Sequence, residues 1–133
     1  MTEKTKCYCG SGKEYNLCCG IAHNNIKNVK TAEQLMRSRY SAFCMANSDY
    51  LHISHHSTTR PRKSERKDIV TWAKSVIWVK LEIIAKSAGS EKDDYGTVEF
   101  KAFYIENGSP NVIHEKSTFE KENGHWVYVD GTH

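Results

Sequence analysis

Four of the five cysteines in this 133-residue chain lie between Cys7 and Cys19, in the stretch CYCGSGKEYNLCCG. One residue separates Cys7 from Cys9, so both sulfurs can turn to the same side of an extended knuckle. Gly10-Ser11-Gly12 can take positive φ at little cost and reverse the chain. A helical turn over Lys13 to Leu17 then returns Cys18 and Cys19 to the first pair, with Gly20 able to cap it. Four convergent thiolates match tetrahedral zinc, with Zn–S distances of about 2.3 Å. The expected ligands are Cys7, Cys9, Cys18 and Cys19, with His23 the alternative fourth ligand. A sphere closed by four sulfurs leaves no position for water, so the expected Zn2+ is structural.

Competing chemistries fit less well. Met1 to Lys6 is polar, with no apolar run of the kind a secretory leader needs. Five cysteines in 133 residues are sparse for a disulfide scaffold, and adjacent cysteines are awkward bridge partners. A redox pair would show Cys-x-x-Cys beside a βαβ unit. Gly-Ser-Gly-Lys lacks the upstream glycine of a phosphate loop, and Glu14 follows the lysine, so no nucleotide cofactor is predicted.

Hydrophobic residues make up 38% and charged residues 26%, the balance of a soluble globular chain. Apolar runs such as Val76-Ile77-Trp78-Val79 are far too short to span a membrane. With thiols meant for metal, the expected location is the cytoplasm. The net charge of +3 is uneven. Residues 1–75 hold 13 Lys/Arg against six Asp/Glu, while residues 76–133 hold six against ten. A basic front half suits RNA, a ribosome or an acidic protein patch, although a solvated helical surface explains it more simply.

The sequence divides into a metal module (1–22), a polar, Asn-rich linker (23–30) and an α+β domain (31–133). Thr31 opens a helix with Gln34 completing a capping box. Its apolar stripe runs Ala32, Leu35, Met36, Tyr40, Phe43 and Ala46, and Arg39 falls inside it. An arginine on a core-facing stripe must meet an anion or reach solvent. Cys44 reads as a small buried hydrophobe. A second helix starts at Ser48 or Asp49 and ends among His55, His56 and Ser57. His52, His55 and His56 have helical spacing that can also place two of them on one metal. A third helix follows the basic loop 58–63, over about Ser64 to Lys74.

From Val76 the hydrophobic period changes to 2. Strands are predicted over about 76–87, 95–106, 112–121 and 125–130. The first puts Ile77, Val79, Leu81, Ile83 and Ala85 on one face and Trp78 on the other. Asn123-Gly124 is a two-residue hairpin signal that sets Phe119 opposite Tyr128 and Ser117 opposite Asp130. Parity then places Glu115, Ser117, Tyr128 and Asp130 on the inward face with Phe119 and Trp126. Arg39 is expected to pair with Glu115 or Asp130, and breaking such a pair from one side costs about 3–5 kcal/mol.

Cys-x-Cys-Gly-Ser-Gly-Lys followed by Tyr and Cys-Cys-Gly resembles the SEC-C motif, the zinc module at the tail of SecA translocase. LMRSRYSAF and HEKSTFEKENGHWVYVDG resemble the YchJ-like family of bacterial proteins, and the likeness covers nearly the whole chain. It implies a SEC-C module joined to a nuclear-transport-factor-2-like cone: three helices on a curved four-stranded antiparallel sheet. Some relatives carry a second SEC-C module after the cone. None is legible here through His133, so functions needing two modules are not expected of this stretch. In cone folds the concave face forms a pocket, here expected to hold Arg39, Tyr40, Glu115, Ser117, Tyr128 and Asp130. A satisfied polar plug or a ligand pocket is the favoured reading. The enzyme alternative, an isomerase or dehydratase, would use Glu115 or Asp130 as base and Tyr40 or Tyr50 as donor. By the same resemblance, the zinc module is expected to dock a protein, ribosome or RNA partner through Lys4, Lys6, Lys13, Tyr8 or Tyr15.

Overall fold

The computed structural model describes residues 5–133, so Lys4 lies outside the described residues. The chain opens on a short antiparallel bridge between Lys6 and Glu14, closed by Cys7 N–H to Lys13 O (2.8 Å) and Tyr15 N–H to Thr5 O (2.9 Å). Gly10 and Gly12 sit at φ +80° and +85°, and the left-handed backbone makes the reversal. A 3-10 turn over Tyr15–Leu17 leads into α1, Cys19–Asn24. Gly20 lies inside α1 rather than capping a turn, and Tyr15 O leaves no room there for a Cβ.

The stretch 23–30 packs rather than tethers. Ile26 and Val29 are buried in the same core cluster as Cys9, Leu35 and Trp126. Trp126 donates its indole N–H to Lys30 O at 3.1 Å, fixing the last strand to the entry of the next helix.

That helix, α2 (Ala32–Met45), is the centre of the molecule. Thr31 Oγ1 accepts from Gln34 N–H, and Gln34 Oε1 reaches back to Lys30 N–H, so its first turn is capped from both sides. Helix α3 (Ser48–Ile53) is capped by the Asn47 side chain, and at the start of α4 (Lys63–Ser75) the Glu65 carboxylate accepts from Arg62 N–H at 2.9 Å. Helices then give way to a four-stranded antiparallel meander, ordered β1 (Ile77–Ala88), β2 (Tyr95–Glu106), β3 (Ser109–Glu122) and β4 (His125–Thr132). The architecture is α+β, with the helices gathered on one face of the sheet.

Three bulges change which side chains face those helices. In β1, Val79 and Ile84 are extra residues against β2, where the register steps from Trp78↔Tyr104 to Lys80↔Phe103 and from Ile83↔Phe100 to Ala85↔Glu99. Parity therefore switches along the strand. Trp78 turns inward against Tyr40, Phe43 and Trp72, while Ile77 and Val79 are 64% and 54% exposed. This reverses the face expected for the start of β1.

In β4 the extra residue is Val129: Phe119 pairs with Tyr128 as expected, but Thr118 pairs with Asp130 and Ser117 with Gly131. Asp130 is thus moved to the outer, exposed face. Strand β3 also begins earlier than expected. Asn107 and Gly108 both take positive φ, as Asn123 and Gly124 do, so Asn107-Gly108 alone makes the turn. Ser109 and Pro110 already pair with Glu106 and Ile105.

Candidate functional site

The four sulfurs of Cys7, Cys9, Cys18 and Cys19 lie within 4.8 Å of one another, and Cys9 and Cys18 are 3.6 Å apart. Ligand atoms on a tetrahedron with bonds of about 2.3 Å are roughly 3.8 Å apart, so the cluster already has the dimensions of a metal site. Cys7, Cys9 and Cys19 are buried. Hydrogen bonds to Cys7 and Cys9, together with burial, hold the Cys19 thiol strongly on its protonated side. Four thiolates so placed need a cation between them, which is what makes the donor set fit a metal ion.

The neighbours of the sulfurs come from α2. Arg37 donates from Nη1 to Cys9 O at 2.7 Å while Nε is paired with Glu33, and Ser41 Oγ lies 3.5 Å from Cys7 Sγ. Ser11 Oγ lies 3.1 Å from Cys18 Sγ.

His23, the alternative ligand, is turned elsewhere. Its Nε2 donates to Ser38 O at 2.8 Å, since a carbonyl can only accept. Nδ1 is then the acceptor for Tyr15 O–H at 2.6 Å. The ring packs 4.5 Å from that of Tyr50, and burial keeps the imidazole neutral by lowering its pKa. Tyr15 is consequently a half-buried strut of the module.

The other face of α2 borders a cavity of about 280 Å³ between the helices and the sheet. Five of the six residues expected at the pocket line it: Arg39, Tyr40, Glu115, Ser117 and Tyr128. Asp130 does not, for the bulge at Val129 has turned it away, and Gly131 takes its inward place. There an added Cβ would clash with the Glu115 carboxylate. Tyr50 is also absent from the wall: it is 2% exposed, with its hydroxyl 2.6 Å from Ser38 Oγ. Trp72, Trp78 and His55 line the cavity without having been expected there. Of these, Trp78 could be anticipated only by locating the bulge in β1.

Arg39 does not form the expected ion pair. Among the described residues, no carboxylate oxygen lies within 4.0 Å of it. Its Nη1 donates instead to Leu51 O (3.1 Å) and Ser54 Oγ (2.7 Å), and its guanidinium carbon lies 4.7 Å from the centre of the Tyr128 ring. Tyr128 in turn donates its hydroxyl to Glu115 Oε2 at 2.9 Å, and Ser117 donates to the same oxygen at 2.7 Å. An aromatic ring therefore stands where direct contact was expected, and a cation–π contact replaces the salt bridge. Burial pulls the Arg39 pKa down to about 10, which still leaves it cationic at neutral pH.

Burial, then the charges of Arg39 and Arg60, pulls His55 down to about 4. Burial pushes the Tyr40, Tyr50 and Tyr128 hydroxyls above the ordinary tyrosine range and Cys44 up to about 12.

The three histidines do not gather on a metal. His52 Nδ1 meets Arg66 Nη1, His55 lies edge-on to Tyr128 at 5.0 Å, and His56 Nδ1 accepts from Thr58. Among the described residues, the cysteines are the one cluster with metal-ligand geometry.

This pairing of a four-sulfur module with a cone has counterparts. A family model described as "YchJ, middle NTF2-like domain" matches residues 31–131. The chain belongs to the YchJ-like family. A UPF0225 protein of Vibrio parahaemolyticus is 42% identical over 128 residues, covering 96% of this chain and 75% of that protein. Another, from Geobacter sulfurreducens, is 38% identical over 94% of this chain and 77% of its own length. Among solved structures, a SEC-C motif containing protein from Rhodopseudomonas palustris superposes with a TM-score of 0.81 at 31% identity, covering 95% of this chain and 96% of that one. A second, from Psychrobacter arcticus, gives 0.80 at 27% identity over 97% and 82%. For a YchJ-like chain, both parts are thus in place: an NTF2-like cone and an N-terminal four-cysteine cluster. No helix among the described residues is long and apolar enough to cross a membrane.

Proposed function

We propose that this protein is a cytoplasmic, zinc-braced receptor for a small molecule, with the metal as brace and the cone as binding chamber. The observation that carries the reading is the cavity itself. It is walled mainly by apolar side chains, and Arg39 stands in that wall with no carboxylate of the described chain in contact. A sealed interior with Arg39 salt-bridged would have fitted a plug; a mainly apolar chamber with few polar groups is the form ligand sites take.

Zinc suits the four-sulfur set because thiolates at tetrahedral separations are its usual structural ligands. Such a site needs reduced cysteines, as the cytoplasm provides. The enzyme reading has less support: Asp130 lies outside the cavity, Tyr50 lies behind its wall, and Glu115 Oε2 is already taken up by two donors.

The test is a thermal-shift screen of small fragments on the intact, metal-loaded protein and on Ala102→Met, which fills the chamber from β2. Fragments that raise the wild-type Tm are expected to lose that effect in the variant. Receptor function is refuted if no fragment raises Tm, or if the shifts survive in Ala102→Met.

A second reading gives the zinc module a docking role toward a protein, RNA or ribosome partner, because Tyr8 (51%), Leu17 (64%) and Ile21 (45%) are exposed on it. Exposed Lys6 and Lys13 add positive charge nearby. Capture with wild type and a Cys18→Ser/Cys19→Ser variant tests it, and partners retained by the variant would dismiss it.

A further inference from the structure

Three arginines are held round one short stretch of chain at the end of α3. Arg39 donates to Leu51 O and Ser54 Oγ, Arg60 Nη2 to His55 O at 3.0 Å, and Arg66 Nη1 meets His52 Nδ1. Arg37 and Arg62, which lie elsewhere, each rest on a glutamate. No such partner within 4.0 Å is found for Arg39, Arg60 or Arg66 among the described residues, and Arg60 Nε is buried without a hydrogen-bond partner among them. Arg39, Arg66, His52 and His55 all border the cavity, where Glu115 is the one carboxylate. Positive charge has therefore been collected at one part of an otherwise apolar chamber, where the single carboxylate of Glu115 offsets it only in part.

We propose, on the receptor reading above, that the cavity takes a small carboxylate with an apolar, aromatic-sized body, its anionic group directed to Arg39 and Arg66. Trp72, Trp78, Phe43 and Phe100 supply flat apolar surface for the body. The volume of about 280 Å³ lies near the lower end of ligand pockets, about 300–1,000 Å³, and limits the body to one or two rings. A cationic ligand would meet two guanidinium groups at close quarters. A neutral one would bury their surroundings and leave the charge uncompensated, which is unfavourable in a low-dielectric site. Guanidinium also presents its donors in a planar fork that matches a carboxylate.

The experiment uses the full-length, zinc-loaded protein labelled with 15N and three probes of one shape: naphthalene-2-carboxylate, naphthalene-2-carboxamide and 2-(aminomethyl)naphthalene. Trp72 and Trp78 line the cavity and Trp126 does not, so the three indole N–H signals report site and control together. The carboxylate is expected to shift Trp72 and Trp78 but not Trp126, and to bind at least about tenfold more tightly than the amide, as a charge-assisted pair implies. The amine should bind most weakly. Arg66→Gln, at a half-buried position, should weaken the carboxylate about fivefold or more and leave the amide unchanged. Equal binding of amide and carboxylate would overturn the anion assignment while leaving a receptor. Failure of all three probes to move Trp72 and Trp78 would overturn the assignment and count against the receptor as well.

Discussion

Arg39 carries its guanidinium 4.7 Å from the centre of the Tyr128 ring, and both stand in the polar part of the cone wall. The ring disperses the charge, and its hydroxyl continues the connection to Glu115. Removing Arg39 is thus a loss of packing and hydrogen bonds, not the breaking of an ion pair. Arg39→Met is expected to cost about 1–3 kcal/mol in urea denaturation, chiefly through the lost charge-assisted hydrogen bonds to Leu51 O and Ser54 Oγ. Glu115→Gln, which can still accept from Ser117 and Tyr128, should cost less than about 1 kcal/mol. A large loss in Glu115→Gln would restore the ion-pair picture.

Gly131 faces Glu115 where a Cβ cannot fit. Gly131→Ala should destabilise by about 1–3 kcal/mol through overpacking, and should displace the Glu115 carboxylate, visible as a shift of the Tyr128 ring signals. Unchanged stability and unchanged ring signals would show that the end of β4 yields freely.

The metal module should hold one zinc per chain by elemental analysis. A strong chelator should then lower Tm and expose the thiols to alkylation, since binding energy at such a site is folding energy. Cys18→Ser/Cys19→Ser should mimic the chelated protein without added chelator. Full Tm in the metal-free protein would show that metal binding contributes nothing to folding.

His55 gives a pH signature. Its pKa falls from the ordinary imidazole value of 6.5 to about 4 on folding, through burial first and then Arg39, Arg60 and His56. Between those values the unfolded chain binds the proton and the folded chain does not, so stability rises with pH and is lost as the solution is acidified from about 6.5 toward 4. The Tm difference between wild type and His55→Gln, followed over that window, should shrink or reverse on the acid side. A constant difference would mean that His55 titrates alike in both states.

Helix α2 ends on Ala46 in the left-handed region, φ 54° and ψ 41°. Ala46→Gly should raise stability by about 1 kcal/mol, because the strain of a Cβ in that conformation is removed. Loss of stability instead would show that the Ala46 methyl packs more usefully than its backbone is strained.

Much of this was legible in residue spacing. The Cys7–Cys19 stretch predicts a compact sulfur cluster, because a reversal at Gly10 to Gly12 leaves the two pairs few other places to go. Thr31 and Gln34 mark the start of α2, and the Asn123-Gly124 turn fixes the nearest pairs of its hairpin. What escaped was counting along strands. Alternation assumes one residue per partner, and a bulge adds a second without any change in hydrophobicity. Val79, Ile84 and Val129 are ordinary β-branched strand residues, so nothing in their chemistry announces them. One such step hid Trp78 from the cavity reading, and another sent Asp130 to the outside. Arg39 was placed correctly on its helix, but periodicity gives a direction and not a partner. A backbone carbonyl, a hydroxyl and an aromatic face were equally able to receive it.

Of the fourteen residues in α2, only Gln34 and Met45 are exposed. Arg37, Ser38 and Ser41 look toward the sulfurs and their struts, while Met36, Arg39, Tyr40 and Phe43 look into the chamber. The helix is a party wall, with each course of side chains committed to one tenant or the other. A mutation in it has almost no neutral ground on which to fall, and repairs made for one room will be heard in the next.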